Sequence, residues 1–159
     1  MKSLLSLLSL FVAFTFVTPL YAQQTATEMD MQILLDKVKA DKKLLVADNM
    51  SLTDSEAQAF WPVYDSYQKD LGVINQRTIK LIKSYADAWN NQTLDDTVAK
   101  KLLNELVAVK AAEGNLPKTY EPKLLAVLPA IKAARYLQME TKIRAAINFE
   151  LAARIPLIQ

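Results

Sequence analysis

The chain contains no histidine and no cysteine among its 159 residues. These two absences remove whole classes of chemistry. Without histidine there is no Ser-His-Asp relay, and without cysteine there is no thiolate nucleophile. Zinc and copper lose the ligands they favour. Glycine is limited to Gly72 and Gly114, so no glycine-rich loop can cradle a phosphate. The formal net charge of +2 is too small to imply nucleic acid. No run of Arg and Lys with interleaved aromatics is present to track a sugar-phosphate backbone. No metal, cofactor or catalytic residue is therefore expected, and the chain reads as a binding protein. One enzymatic alternative survives on residue types alone, a hydrolase working with carboxylates. The pair Asp95-Asp96 reads better as the start of a helix.

Hydrophobic residues make up 52% of the chain, enough to build a core. The N-terminus has the layout of a secretory signal peptide: Met1-Lys2, an apolar run over 4–17, then Thr18-Pro19-Leu20-Tyr21-Ala22. Cleavage is expected before Gln23, although Leu20 stands where a small residue is preferred. An uncleaved membrane anchor is the alternative, but the run is short of the roughly 20 residues that span a bilayer. No cysteine follows for a lipid anchor, and no later stretch is long and apolar enough to cross a membrane. The expected organisation is a signal peptide at 1–22 and one helical domain at 23–159, located in the periplasm. Such a compartment is oxidising, and small exported domains often rely on disulfides there. With none available, stability must come from helix packing, within the chain or with a second subunit.

Scarce glycine with abundant Leu, Ala and Lys predicts an all-α fold of four or five helices in a bent hairpin or bundle. A first helix is expected from 30 to about 49, carrying Ile33, Leu34, Val38, Leu45 and Val46. Thr53-Asp54-Ser55-Glu56 is a capping box that should open a long helix to about 89. Phe60, Tyr64, Tyr67, Leu71, Ile74, Thr78, Leu81, Ile82, Tyr85 and Trp89 recur every three or four residues and share one face. The stripe reads as core, with an aromatic ligand box as the alternative. Pro62 should bend this helix or limit its regular part. Thr93-Leu94-Asp95-Asp96 starts another helix, along which Val98, Leu102, Leu106, Val109, Leu116, Tyr120 and Val127 keep phase. Gly114, Pro117 and Pro122 should kink or interrupt it. Pro129 suits the first turn of a last helix to about 154, with Tyr136, Ile143, Ile147 and Leu151 on one face. Glu140 falls in that apolar sector and should pair with Arg144 or with a cation on another helix. The tail Ile155-Pro156-Leu157-Ile158 should fold back onto the core or cross to a partner.

Five residues are candidates for contact with a partner. Trp61 lies about 100° off the aromatic stripe, and Lys132, Arg135 and Lys142 form a basic stripe with Met139 among them. The alternatives are a second buried face for Trp61 and a plain solvated face for the cations.

The segment Leu52-Thr53-Asp54-Ser55-Glu56 resembles the Leu-Thr-x-x-Gln motif of the Spy/CpxP group of small periplasmic stress proteins, with Glu in place of Gln. A second, poorer counterpart is Leu128-Pro129-Ala130-Ile131-Lys132, and the resemblance extends over about 51–142. The chain is closer still to a set of exported bacterial proteins, without assigned function, that share Phe-Trp-Pro-Val-Tyr (here 60–64), Arg-Tyr-x-Gln-x-Glu (here 135–140) and an Ile-Pro-Leu ending. The Spy/CpxP resemblance implies a helical, dimeric protein. It implies either an ATP-independent chaperone holding unfolded or partly folded envelope proteins, or an adaptor for an envelope-stress sensor. The metal sensing of some relatives relies on histidines that are absent here. A third class, a non-catalytic structural or assembly protein of the envelope, stays open beside these.

Overall fold

A computed structural model describes residues 41–158. The signal-peptide segment 1–22 and the upstream part of the first expected helix lie outside the described residues. Leu44–Gln159 form one compact unit, and every regular element among the described residues is α-helical. We label residues 41–50 α1, Asp54–Asn90 α2, Asp96–Leu125 α3 and Ala130–Arg154 α4.

The capping box forms as its sequence demands. Glu56 N donates to Thr53 Oγ1 at 3.3 Å, and Thr53 N donates to Glu56 Oε2 at 2.8 Å. Only residues 51–53 separate α1 from α2, and the reversal is sharp enough to put Ser51 at φ 47°. That left-handed conformation costs a non-glycine residue about 1–2 kcal/mol. At the other end of α2, Thr93 N donates to Ala88 O and Asn91 N to Asp87 O. Asp95 then accepts from Val98 N to open α3.

α2 is 37 residues long, so it spans about 55 Å. It runs antiparallel to α3: Tyr120 pairs with Asp70, and Arg77 with Glu105 nearer the turn. α4 lies parallel to α2, because the pairs Glu56–Lys132, Gln68–Glu140 and Asn75–Arg144 advance together. Tyr85 Oη donates to Pro156 O at 3.1 Å, so the tail continues beside α2, while Leu157 and Ile158 stay exposed.

The prolines do not interrupt their helices. α2 runs unbroken through Pro62, and α3 through Pro117 and Pro122. At Pro62 the freed carbonyl belongs to Gln58, and both residues are exposed, so water can satisfy it. In α3 the burial of Leu116, Tyr120 and Leu124 offsets the helical penalty of about 3 kcal/mol per proline.

The expected aromatic stripe of α2 is core, but unevenly so. Phe60, Tyr64, Tyr67 and Ile74 are buried, whereas Leu71, Thr78, Leu81, Ile82, Tyr85 and Trp89 are half-buried. The same gradient holds in every helix. Val46 and Met50 of α1, Val109, Leu116, Tyr120 and Leu124 of α3, and Ala133 and Tyr136 of α4 complete the core with Leu128. Beyond Ile74 only Ala88 of α2 is buried, and no residue of α3 before Val109 or of α4 after Glu140 is. The packed half is therefore the end that holds α1. The end at the α2–α3 turn is loose.

Candidate functional site

Three features lie at or beside the packed end: an aromatic cluster, a polar layer and a clasp on α1. The cluster is built from Phe60, Trp61, Tyr64, Tyr67, Tyr120 and Tyr136. Tyr136 stands edge-on to Phe60 at 5.2 Å and to Tyr67 at 5.5 Å, and Tyr67 meets Tyr120 at 5.1 Å. Edge-to-face pairs at these separations are favoured by the ring quadrupoles. Burial pushes the Tyr64, Tyr67 and Tyr120 hydroxyls up to about 12. The negative field of Glu140 adds to this at Tyr64 and Tyr67. At Tyr120 the carboxylate of Asp70, which accepts its hydroxyl at 2.7 Å, does the same. Tyr136 is raised furthest, again by burial first and then by Glu140.

The polar layer closes the cluster on the side of the α2–α3 turn. Gln68 Nε2 donates to Tyr136 Oη at 3.1 Å and to Glu140 Oε1 at 2.9 Å, so the buried Glu140 is held from α2. Arg144 Nη2 donates to Asn75 Oδ1 at 2.8 Å, and its Nη1 lies 3.4 Å from Glu113 Oε1. That Glu113 oxygen is sealed from solvent and accepts no hydrogen bond. Arg144 is thus its charge partner, linking all three long helices. Replacing Arg144 by alanine is expected to lower stability by about 1–2 kcal/mol, because the sealed Glu113 oxygen loses the cation beside it while Lys110 keeps only the other oxygen. Adding Glu113→Gln should recover part of the loss. Urea unfolding of the two single variants and the double variant measures this, and strict additivity would refute the coupling.

The clasp uses two of the expected contact residues. Lys132 Nζ donates to Glu56 Oε2 at 2.5 Å and to Ser51 O at 2.7 Å. Arg135 Nη1 donates to Asn49 O at 3.3 Å. Both cations therefore sit at the C-terminal end of α1, where carbonyls without helical partners and the helix dipole attract positive charge. Lys132 also stabilises the ionised Glu56, whose carboxyl is held below the usual carboxylate range by that hydrogen bond and by the Thr53 amide.

The other three candidates separate. Trp61 is half-buried and packs on Phe60 at 5.1 Å and Tyr64 at 5.3 Å. Met139 is half-buried against the core. Lys142 is exposed. The five residues do not make one surface, since Lys132, Met139 and Trp61 face inward and Arg135 and Lys142 outward.

A different surface emerges on α4. Ile131, Arg135, Gln138, Lys142 and Phe149 are all exposed and fall within about 60° of one another around the helix. Ile131 is 73% and Phe149 74% accessible. Ile131, Ala134, Arg135 and Gln138 line a shallow open recess at one end of this face. Ile131 and Phe149 escaped sequence reasoning, which sought apolar residues among the cations' immediate neighbours. Their spacing of 18 residues, five helical turns, was the signal.

Among the described residues no three His, Cys, Asp or Glu side chains converge as a metal site, and no helix is long and apolar enough to cross a membrane. Comparison with models of protein families, with curated proteins and with solved structures finds no match to this chain.

Proposed function

We propose that the protein is a non-catalytic exported binding protein that holds unfolded or partly folded envelope polypeptides on the outer face of α4. One observation carries the reading. Ile131 and Phe149, two large apolar side chains about three-quarters exposed, share a helix face with Arg135, Gln138 and Lys142. Extended polypeptides present apolar and acidic groups together. A face that mixes apolar anchors with long cationic stems engages both without fixed geometry. The charges speed encounter, so capture weakens as salt rises. The role needs no nucleotide, consistent with the missing glycine-rich loop.

The test avoids the clasp. The triple variant Ile131→Ser, Lys142→Glu, Phe149→Ser alters exposed positions and leaves Lys132 and Arg135 in place. Suppression of aggregation of a denatured envelope protein should then require about fivefold more protein. Helicity and melting temperature should be unchanged. A variant that protects as well as the parent makes this face an ordinary solvated one, and a parent that never protects any client removes the chaperone reading altogether.

A further inference from the structure

We infer that the end of α4 and the tail behind it dock on the surface of an anionic membrane, with Phe149, Leu157 and Ile158 entering the leaflet and Lys142 meeting its phosphates. This goes beyond the capture reading and does not depend on it, although Lys142 and Phe149 belong to both surfaces. Large apolar side chains stand out at this end of the helix. Phe149 is about three-quarters exposed, and in the tail Leu157 is 87% and Ile158 59% accessible. The helix stops at Arg154, and Tyr85 Oη holds the Pro156 carbonyl at 3.1 Å. The two tail side chains therefore project from a fixed point. Ala145, Ala146, Ala152 and Ala153 are exposed as well and lie within about 60° of Phe149 around the helix. Alanines raise no walls, so the ring stands alone above a smooth convex surface. The recess on this face lies further back, between Ile131 and Gln138.

Such a surface gives a folded partner little to grip, and a polypeptide would have to bring its own pocket for Phe149. A leaflet closes around a protruding side chain because its acyl chains are fluid. The charges select the kind of leaflet. Of the two carboxylates of α4, Glu140 is buried, and Glu150 lies about 100° from Phe149, paired with Arg154 at 3.4 Å. The apolar surface itself carries no acid. The cation on the same side, Lys142, is exposed and lies about 20° round from Phe149 and about 10 Å back along the axis. When the end of α4 enters a leaflet obliquely, this offset sets the ammonium at the level of the phosphates and its aliphatic stem along the apolar layer. Apolar helix surfaces with cations at their margin bind anionic interfaces in this way. No helix among the described residues is long and apolar enough to cross a bilayer, so the contact is peripheral and reversible.

Co-sedimentation of the purified protein with lipid vesicles tests the inference. No client polypeptide is present, so the outcome is separate from that of the aggregation assay. Vesicles of phosphatidylcholine with about one-third phosphatidylglycerol should bind about tenfold more tightly than phosphatidylcholine alone, and added salt should narrow the difference. The double variant Leu157→Ser, Ile158→Ser should bind the anionic vesicles about tenfold more weakly. Both positions lie beyond the last helix, and circular dichroism checks that the fold is kept. Leu157→Trp locates the contact: its added emission, above the baseline of Trp61 and Trp89, should shift to the blue and be quenched by lipids brominated along their acyl chains. Four results overturn the inference: no binding to either vesicle, equal binding to both, full binding by the double variant, or a Leu157→Trp signal that brominated lipid leaves unquenched. A protein that ignores vesicles but loses client protection in the double variant assigns this end of α4 to polypeptides instead.

Discussion

Replacing Tyr136 by alanine is expected to remove about 4 kcal/mol of stability, a large share of the roughly 5–15 kcal/mol that holds a domain of this size. The ring is fully buried and touches Phe60, Tyr64 and Tyr67 edge-on or tilted. Truncation would lose those contacts and open a cavity at the point where α4 meets α2. It would also remove the hydroxyl that accepts from Gln68. Tyr136→Phe separates the two effects, since it keeps the ring and should cost only about 1 kcal/mol. Urea unfolding followed by circular dichroism measures both. A loss below about 1 kcal/mol for the alanine variant would mean that the cluster does not hold α4 to α2, and the ligand-box reading of the aromatics would return.

Raising the pH from 9 to 12 is expected to unfold the protein cooperatively. Tyr64, Tyr67 and Tyr120 have folded-state values of about 12 against an ordinary 10.0, and Tyr136 is raised as well. The sign follows from linkage. Below pH 10 these phenols are neutral in both states and their packing contributes in full. Above pH 10 the unfolded chain releases protons that the folded chain must keep, so the unfolded state gains. The contribution is lost as the pH rises toward the folded values. Helicity and phenolate absorbance, recorded together, should change in one transition between pH 10 and 12. Tyr67→Phe removes one such group and should move the alkaline midpoint upward relative to the variant's own stability at neutral pH. Phenolate absorbance near pH 10 beyond what Tyr21 and Tyr85, the two tyrosines outside the cluster, can supply, with helicity intact, would mean that these rings are accessible.

Helix order, helix ends and core phase were legible in the sequence because each rests on short-range rules. The capping box at Thr53 and Glu56, the start at Asp95 and the stripe from Phe60 to Ile74 depend only on neighbours within a few turns. Three things were not legible. The prolines of α3 sit in an unbroken helix because Leu116, Tyr120 and Leu124 are buried against other elements, a tertiary effect that overrides local propensity. The half-buried far part of the α2 stripe has the right period and too few neighbours, and periodicity does not count neighbours. The basic stripe merged two faces. Lys132 and Met139 are seven apart, as are Arg135 and Lys142, but the two pairs are offset by about 60°. That offset turns the first pair toward α2 and the core and the second toward solvent. Only the position of Ser51 and Glu56, brought to α4 by the fold, reveals that Lys132 is a clasp.

The uneven distribution of the core sets an order for folding. In most helical hairpins the turn brings adjacent segments together first and packing spreads from it. Here the segments beside the α2–α3 turn are mostly only half-buried, and the fully buried contacts that reward closure are distant in sequence. Tyr120 and Asp70 are 50 positions apart, and Gln68 and Tyr136 are 68. The entropy of closing such loops must be met before the aromatic cluster forms. The ring of Tyr136 comes from α4, so α2 and α3 alone cannot complete that cluster. The chain should therefore stay open until its last helix is available, and then fold from the α1 end toward the turn. Under native conditions amide exchange should run in the reverse order, fastest in the helix ends beside Asn91 and slowest around Tyr64 and Tyr120.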